Sequence, residues 1–206
     1  NEKFSGGLAR CYKKGYTKRI KKIDYNSLYP MIQLSENVFP IFDITGVIKK
    51  ILLYLTTTRN IYKNLGSGKK LKDNEINLLK EIDHEMYEKY VNNKLTSNDV
   101  ALCKVKQLPI KILNNSLFGA LGSGVSFNWS DNVCAARITT IGRLHLRHAV
   151  KWFSDFGCVA LLAVTDGINF QYPELTNIRF NNNECVHEDY YDTIEKMWKY
   201  DDKDGM

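Results

Sequence analysis

The chain has 206 residues, 44% of them hydrophobic and 25% charged, a balance that supports a packed core and excludes a disordered, collagen-like or disulfide-scaffold protein. No run of about 18 apolar residues occurs, which excludes a membrane-spanning helix. Lys and Arg outnumber Asp and Glu, 29 to 23, and the net charge of +6 is compatible with a polyanionic partner. The five cysteines (Cys11, Cys103, Cys134, Cys158 and Cys185) are widely spaced, odd in number and form no CxxC pair. Reduced thiols in a cytoplasmic protein are expected, rather than a disulfide or zinc framework. No secretory signal opens the chain, which starts at Asn1 and reaches its first motif within thirty residues. A piece of a longer polypeptide, or a split gene product, is expected.

In chain order, residues 1–22 form a basic, Gly-containing stretch that reads as a solvated surface or a phosphate-facing strip. Ile20 to Asp24 predicts a short strand. Ser27 to Ser35 predicts a helix, with Pro30 near its start where proline is tolerated. Apolar residues at helical spacing from Gly46 to Leu65, then from Leu71 to Tyr90, predict an antiparallel helical pair over 46–93, broken at Gly66-Ser67-Gly68. A further helix runs to about Phe118, with Pro109 starting or kinking it, and Gly119 to Ser126 reads as a loop. A long helix is predicted from about Asp131 to Phe156. The apolar run Cys158 to Ala163, the turn Thr165-Asp166-Gly167 and the segment Ile168 to Tyr172 predict a hairpin. Residues 173–206 are polar and acidic, with a helix expected near Tyr191–Lys199.

Four clusters carry chemistry. In Ile23-Asp24-Tyr25-Asn26-Ser27-Leu28-Tyr29-Pro30 an Asp ends a strand and a turn follows. A carboxylate there can bind a hard cation while the N–H groups of the turn face a phosphate. Alone, an Asp followed by Ser is an ordinary turn or helix N-cap. In Lys111 to Gly119, Lys111, Asn115 and Gly119 fall at i, i+4 and i+8, a stripe of cation, amide and bare backbone. Such a stripe can hold a phosphate and lie against a base pair; alone, it is a solvated helix face. Val164-Thr165-Asp166-Gly167 puts one carboxylate at a hairpin tip, although Asp-Gly is also a common turn. Arg59 and Lys63 are two cations one helical turn apart.

The order and context of these clusters resemble the family B DNA polymerases. IDYNSLYP matches their motif A, D-x-x-S-L-Y-P. KILNNSLFG matches motif B, K-x3-N-S-x-Y-G, with Phe118 in place of Tyr. VTDG matches motif C, D-T-D-S/G, with Val164 in place of the first Asp. AARITTIGR (Ala135 to Arg143) is similar to the helix between B and C, and Arg59 and Lys63 match the basic pair on the first fingers helix. Phe4-Ser5-Gly6-Gly7 is similar to the template-contacting Y-x-G-G segment. The resemblance covers residues 1–172.

The resemblance implies an α+β fold: a polymerase palm, an antiparallel sheet with packed helices, with an inserted antiparallel helical fingers subdomain. Residues 1–45 would be the first part of the palm with motif A, and 46–118 the fingers ending in motif B. Residues 119–172 would be the second part of the palm with motif C, and 173–206 match nothing recognised. It implies template-directed DNA synthesis by two-metal nucleotidyl transfer from a dNTP to a primer 3′-hydroxyl, with Asp24 and Asp166 catalytic. Asp24, Asp166 and the Tyr25 carbonyl would hold two Mg²⁺ ions about 3.5–4 Å apart, with Mn²⁺ as the other usable ion. Ser27, Leu28, Tyr29, Arg59, Lys63, Lys111 and Asn115 would bind the dNTP, Tyr29 excluding a 2′-hydroxyl. Gly6, Gly7, Gly119 and Thr165 would contact primer-template DNA. The family's exonuclease and thumb would have to come from the same or a companion polypeptide, and a viral source is the expected one. No membrane partner is expected. Val164 and the missing thumb motivate the alternative, a catalytically lapsed nucleic-acid-binding module derived from such a palm.

Overall fold

The structure, a computed structural model, describes residues 5–124, 129–171, 180–181 and 184–185. Four strands, β1 (Ala9–Cys11), β2 (Ile20–Asp24), β3 (Val159–Val164) and β4 (Gly167–Gln171), form an antiparallel sheet in the order β1-β3-β4-β2. The helices are α1 (Leu28–Ser35), α2 (Val47–Gly66), α3 (Asp73–Ile82), α4 (His84–Val91), α5 (Ser97–Leu121) and α6 (Asn132–Asp155). A two-residue pair, β5 (Phe180–Asn181) with β6 (Glu184–Cys185), follows. The fold is α+β, helices beside a small antiparallel sheet. The helix expected near Tyr191–Lys199 lies outside the described residues. The chain divides into two compact units, a helical one of Gln33–Ala136 and a sheet unit of Ser5–Ile32 with the chain from Arg137 on.

In the sheet unit the apolar run of β3 behaves as its composition demands. Ala160, Leu161 and Ala163 are buried, and a register slip between Ala160 and Leu162 puts two consecutive side chains inside. Leu8, Leu146, Ala163 and Ile168 form the core, with Tyr25, Ala149 and Val150 against it. Phe153 of α6 stacks on Phe170 of β4 at 4.7 Å between ring centres. Gly142 lets the first turns of α1 approach α6: a Cβ there would stand 3.3 Å from the Tyr29 ring and 3.4 Å from Leu28. The basic stretch 1–22 contains β1, which the sequence did not signal. Its residues Ala9-Arg10-Cys11 are all exposed, so no alternation of apolar and polar marks them.

The helical unit departs from the expected helical pair. Its second half is two helices, α3 and α4, parted at Asp83. One Asp83 oxygen accepts from the Met86 N–H at 3.3 Å and caps α4. The other accepts from the Tyr62 hydroxyl at 3.1 Å and from Lys106 Nζ at 2.6 Å. One carboxylate thereby starts α4 and ties it to α2 and α5. Around it Ile61, Tyr62, Leu65, Leu71, Leu79, Met86 and Cys103 close a core. At Gly66 a Cβ would meet Lys104 Cγ at 2.9 Å, so glycine permits the close approach of α2 to α5.

α5 opens on a capping box between Thr96 and Asp99, passes through Pro109 and continues to Leu121. Gly119, expected to start a loop, is therefore helical. Ala120 and Leu121 are buried and extend the packed face, which outweighs the roughly 1 kcal/mol helix cost of a glycine. Cys11, Cys103, Cys134 and Cys158 are not joined in disulfides. Among the described residues no helix is long and apolar enough to cross a membrane.

Burial works to raise the Asp83 carboxyl, but hydrogen bonds from Lys106, the Met86 N–H and Tyr62 outweigh it and hold the group below the usual carboxylate range. Hydrogen bonds from Thr96 and Lys89 depress Asp99 as well. Stability from such groups is complete above the ordinary Asp value of about 3.9 and is lost as pH falls toward the lower folded value. The thermal midpoint should stay level from about pH 7 to 5 and fall below about pH 4. Asp83→Asn should flatten that acid limb; a limb as steep as wild type would remove Asp83 from this role.

Candidate active site

The sheet unit brings the two singled-out carboxylates to one place. Asp24 ends β2 directly opposite Gly167, the residue after Asp166. The Tyr25 N–H donates to the Asp166 carbonyl at 2.8 Å, so the chain leaving β2 is tied to the hairpin tip. Asp24, Asp166, Lys22, Val164, Thr165 and Gly167 line one pocket of about 180 Å³. A Cβ on Gly167 would run into Asp24 Oδ1, so glycine after Asp166 makes the room that Asp24 occupies. At the tip Thr165 adopts φ 54°, an uncommon conformation for a β-branched residue, and its N–H donates to the Leu8 carbonyl at 2.7 Å.

Lys22 lies two residues before Asp24 on β2 and points the same way. Its ammonium stands 2.9 Å from Asp24 Oδ2. Hydrogen bonding to Asp24 raises the Lys22 pKa, and the charges of Asp24 and Asp166 add to the effect. A cation is thus accommodated beside these oxygens. Hard carboxylate donors suit Mg²⁺ or Mn²⁺, and an ammonium already stands where positive charge is favoured. Among the described residues no group of three or more His, Cys, Asp and Glu side chains comes together as a metal cluster. A divalent ion here would rely on two carboxylates, a backbone carbonyl and oxygens supplied by substrate or water.

The turn after Asp24 places the other motif A residues. Ser27 adopts φ 55°, and its carbonyl accepts the Met31 N–H at 2.9 Å to start α1. Ser27 is half-buried and Leu28 is buried, and their N–H groups belong to the first turn, where a helix has no internal acceptors for them. Tyr29 is half-buried. Desolvation raises its hydroxyl pKa, the Asp166 charge adds to that, and Arg143 opposes it. The Tyr25 hydroxyl is 3.3 Å from the His145 carbonyl, to which it donates.

The glycines of the amino-terminal segment differ. A Cβ on Gly7 would lie 2.7 Å from the Tyr29 hydroxyl oxygen and 3.2 Å from Thr165 Cα, whereas one on Gly6 meets nothing within 4 Å. The segment is held by α6. Arg143 Nη1 donates to the Ser5 and Gly6 carbonyls at 2.7 Å, Nη2 donates to Thr140, and the Thr139 hydroxyl donates to Ser5 at 2.8 Å. The sequence places Lys22 only in a basic surface or phosphate-facing strip and gives Thr139 and Arg143 no individual role. The signals were present: Lys22 shares a strand face with Asp24, and ITTIGR contains the other two. Phe4 lies outside the described residues.

In the helical unit, Lys111, Asn115 and Gly119 are all exposed along α5. Lys63 is exposed on α2, while Arg59 is buried, at 9% exposure. Arg59 Nε donates to Gln107 Oε1 at 3.3 Å, and burial lowers the pKa of its guanidinium. The two cations of α2, one helical turn apart, sit in different environments.

A DNA polymerase of Archaeoglobus fulgidus is 25% identical to this chain over 174 residues, 81% of the chain and 21% of that protein. The family B DNA polymerase of the hyperthermophilic archaeon Pyrobaculum calidifontis superposes with a TM-score of 0.54 at 18% identity, over 84% of this chain and 23% of the other. This chain resembles the family B DNA polymerases. No protein-family model matches it. It spans about a fifth of the length of the archaeal polymerase it matches in sequence. Both relatives are archaeal, so neither supports the expected viral source.

The polymerase-like sheet unit depends on close approach at Gly7. Gly7→Ala should lower stability by roughly 1–3 kcal/mol through overpacking against Thr165 and Tyr29, with Gly6→Ala within about 0.5 kcal/mol of wild type. Urea unfolding of the two variants compares them directly. Equal midpoints would mean that the Gly7 contact contributes nothing.

Proposed function

We propose that this chain is the palm and fingers of a larger DNA polymerase and carries its template-directed nucleotidyl transfer. The observation that carries the reading is the meeting of Asp24 and Asp166 in one pocket, from segments far apart in sequence. The boundaries proposed from the motifs are palm at 1–45 and 119–172 and fingers at 46–118, with 173–206 unassigned. Primer-template DNA and dNTP are the proposed ligands. An exonuclease and a thumb are the proposed companion regions.

Asp24, Asp166 and the Tyr25 carbonyl are proposed to hold Mg²⁺, or Mn²⁺ in its place. When bound, the ions supply charge neutralisation for the triphosphate and lower the pKa of the primer hydroxyl. The remaining work falls to the chain itself. Ser27 and Leu28 offer N–H groups to phosphate oxygens at the start of α1. Lys111, Lys63 and Arg59 are proposed to hold the triphosphate through their positive charges. Asn115 and Gly119 present an amide and a bare backbone to the nascent base pair. The Tyr29 ring lies under the sugar and leaves no room for a 2′-hydroxyl. Its position is supported by Gly7 packing against its hydroxyl. Gly6, Gly7 and Thr165 contact the DNA strands.

A second reading, a lapsed nucleic-acid-binding module, is favoured by two observations. Val164 brings no carboxylate to the pocket, and Asp24 is ion-paired with Lys22. Primer extension by the complete polymerase separates the readings. Asp24→Asn and Asp166→Asn should each reduce Mg²⁺-dependent extension by at least about 10³-fold while DNA binding persists. A wild-type protein that binds DNA and extends nothing would establish the lapsed module instead.

Tyr29→Ala should raise ribonucleotide incorporation relative to deoxyribonucleotide by about 10-fold or more. Measured as the ratio of kcat/KM for the two sugars, an unchanged value would remove Tyr29 from its assigned place.

A further inference from the structure

We propose that Lys22 is a tethered cation that competes with divalent metal for the Asp24 carboxylate, setting how tightly this pocket binds metal before substrate arrives. The inference rests on the reading of Asp24 and Asp166 as metal ligands and concerns a residue that reading does not use.

Geometry carries it. On β2 the side-chain period of two puts Lys22 and Asp24 on the same face of the strand. The ammonium stands 2.9 Å from Asp24 Oδ2, on one of the oxygens a metal would need. Gly167 keeps the path of the lysine open, since a Cβ there would come within 3.3 Å of Lys22 Cε. Lys22 also lines the same pocket as Asp166. The exchange is of one cation for another, and no proton moves.

The charge balance of the pocket explains why such a lysine matters. Among the described residues its charged lining groups are the carboxylates of Asp24 and Asp166 and the ammonium of Lys22, and Val164 contributes an apolar side chain. Two negative charges against one positive leave a weak field for a free divalent ion. A dipositive ion must displace the lysine from Asp24 or share the oxygen with it. Both side chains are substantially exposed, 62% for Lys22 and 49% for Asp24, so the lysine can swing away into water. An exposed pair of this kind adds little to folding stability. Its consequence lies in competition at a shared oxygen.

The test is Mn²⁺ titration of the chain without DNA or nucleotide, followed by the electron paramagnetic resonance signal of free Mn²⁺ at constant ionic strength. Lys22→Met should bind Mn²⁺ roughly 2- to 5-fold more tightly than wild type, the range set by the strength of an exposed ion pair. Lys22→Arg keeps the charge and should stay within about twofold of wild type. Asp24→Asn should lose most of the binding. Unchanged or weaker binding by Lys22→Met, with Asp24→Asn still defective, overturns the competition and leaves the carboxylate site standing. Tightening by Lys22→Arg equal to that of Lys22→Met also overturns it, since bulk rather than charge would then be responsible. Wild-type affinity in Asp24→Asn would overturn both this inference and the metal reading beneath it.

Discussion

The register between β2 and β4 is the constraint on which the candidate site depends. Asp24 stands opposite Gly167, and the Tyr25 N–H closes on the Asp166 carbonyl just beyond. A slip of one residue would turn Asp24 to the opposite face of the sheet and part it from Asp166. The register is held from both sides. Ile168 and Phe170 must be buried under α6, and only a glycine at 167 leaves space for the Asp24 carboxylate. The absence of a side chain at Gly167 therefore permits two acidic side chains to share a pocket.

Around that register the sheet unit is built by close approaches rather than by bulk. Gly142 brings α1 against α6, and Gly7 brings the amino-terminal segment against Tyr29 and Thr165. Arg143 spends its guanidinium on the carbonyls of Ser5 and Gly6, which fixes a segment with few apolar side chains of its own. Each contact places backbone or small atoms next to a residue with a proposed role. The pocket is consequently shaped by positions where no larger side chain fits.

The helical unit answers to a different organiser. Asp83 ends the run of α3, caps α4 and receives Tyr62 and Lys106 from α2 and α5. A half-buried carboxylate with this many donors is well satisfied, and removing one donor would leave it short of partners. Lys89 forms a second tie, between Glu85 and Asp99, from α4 to the start of α5. These links brace the helices whose exposed faces carry Lys63, Lys111 and Asn115. Arg59, by contrast, is drawn into the packing and held by Gln107.

Much of this was legible in the linear chain. The apolar run of β3, the Asp-Gly turn and the length of α6 follow from hydrophobic pattern and turn chemistry, and the structure agrees to within a residue or two. The motif residues were recognisable as types in an order. β1 was not, because three exposed residues carry no periodic signal. The break at Asp83 was hidden too: the helical spacing of Leu79, Ile82 and Met86 runs on through it, and only partners on α2 and α5 reveal its capping role. The end of α5 was misplaced because Gly119 resembles a loop signal until the burial of Leu121 is known. Composition and local periodicity thus determined most of the strands and helices and which side chains could do chemistry. Tertiary structure alone decided that Asp24 faces the Asp166 turn, that Lys22 lines the same pocket as Asp166, and that Arg59 is buried. Those facts depend on contacts between residues distant in sequence, and local preference carries no information about which distant backbone will lie alongside.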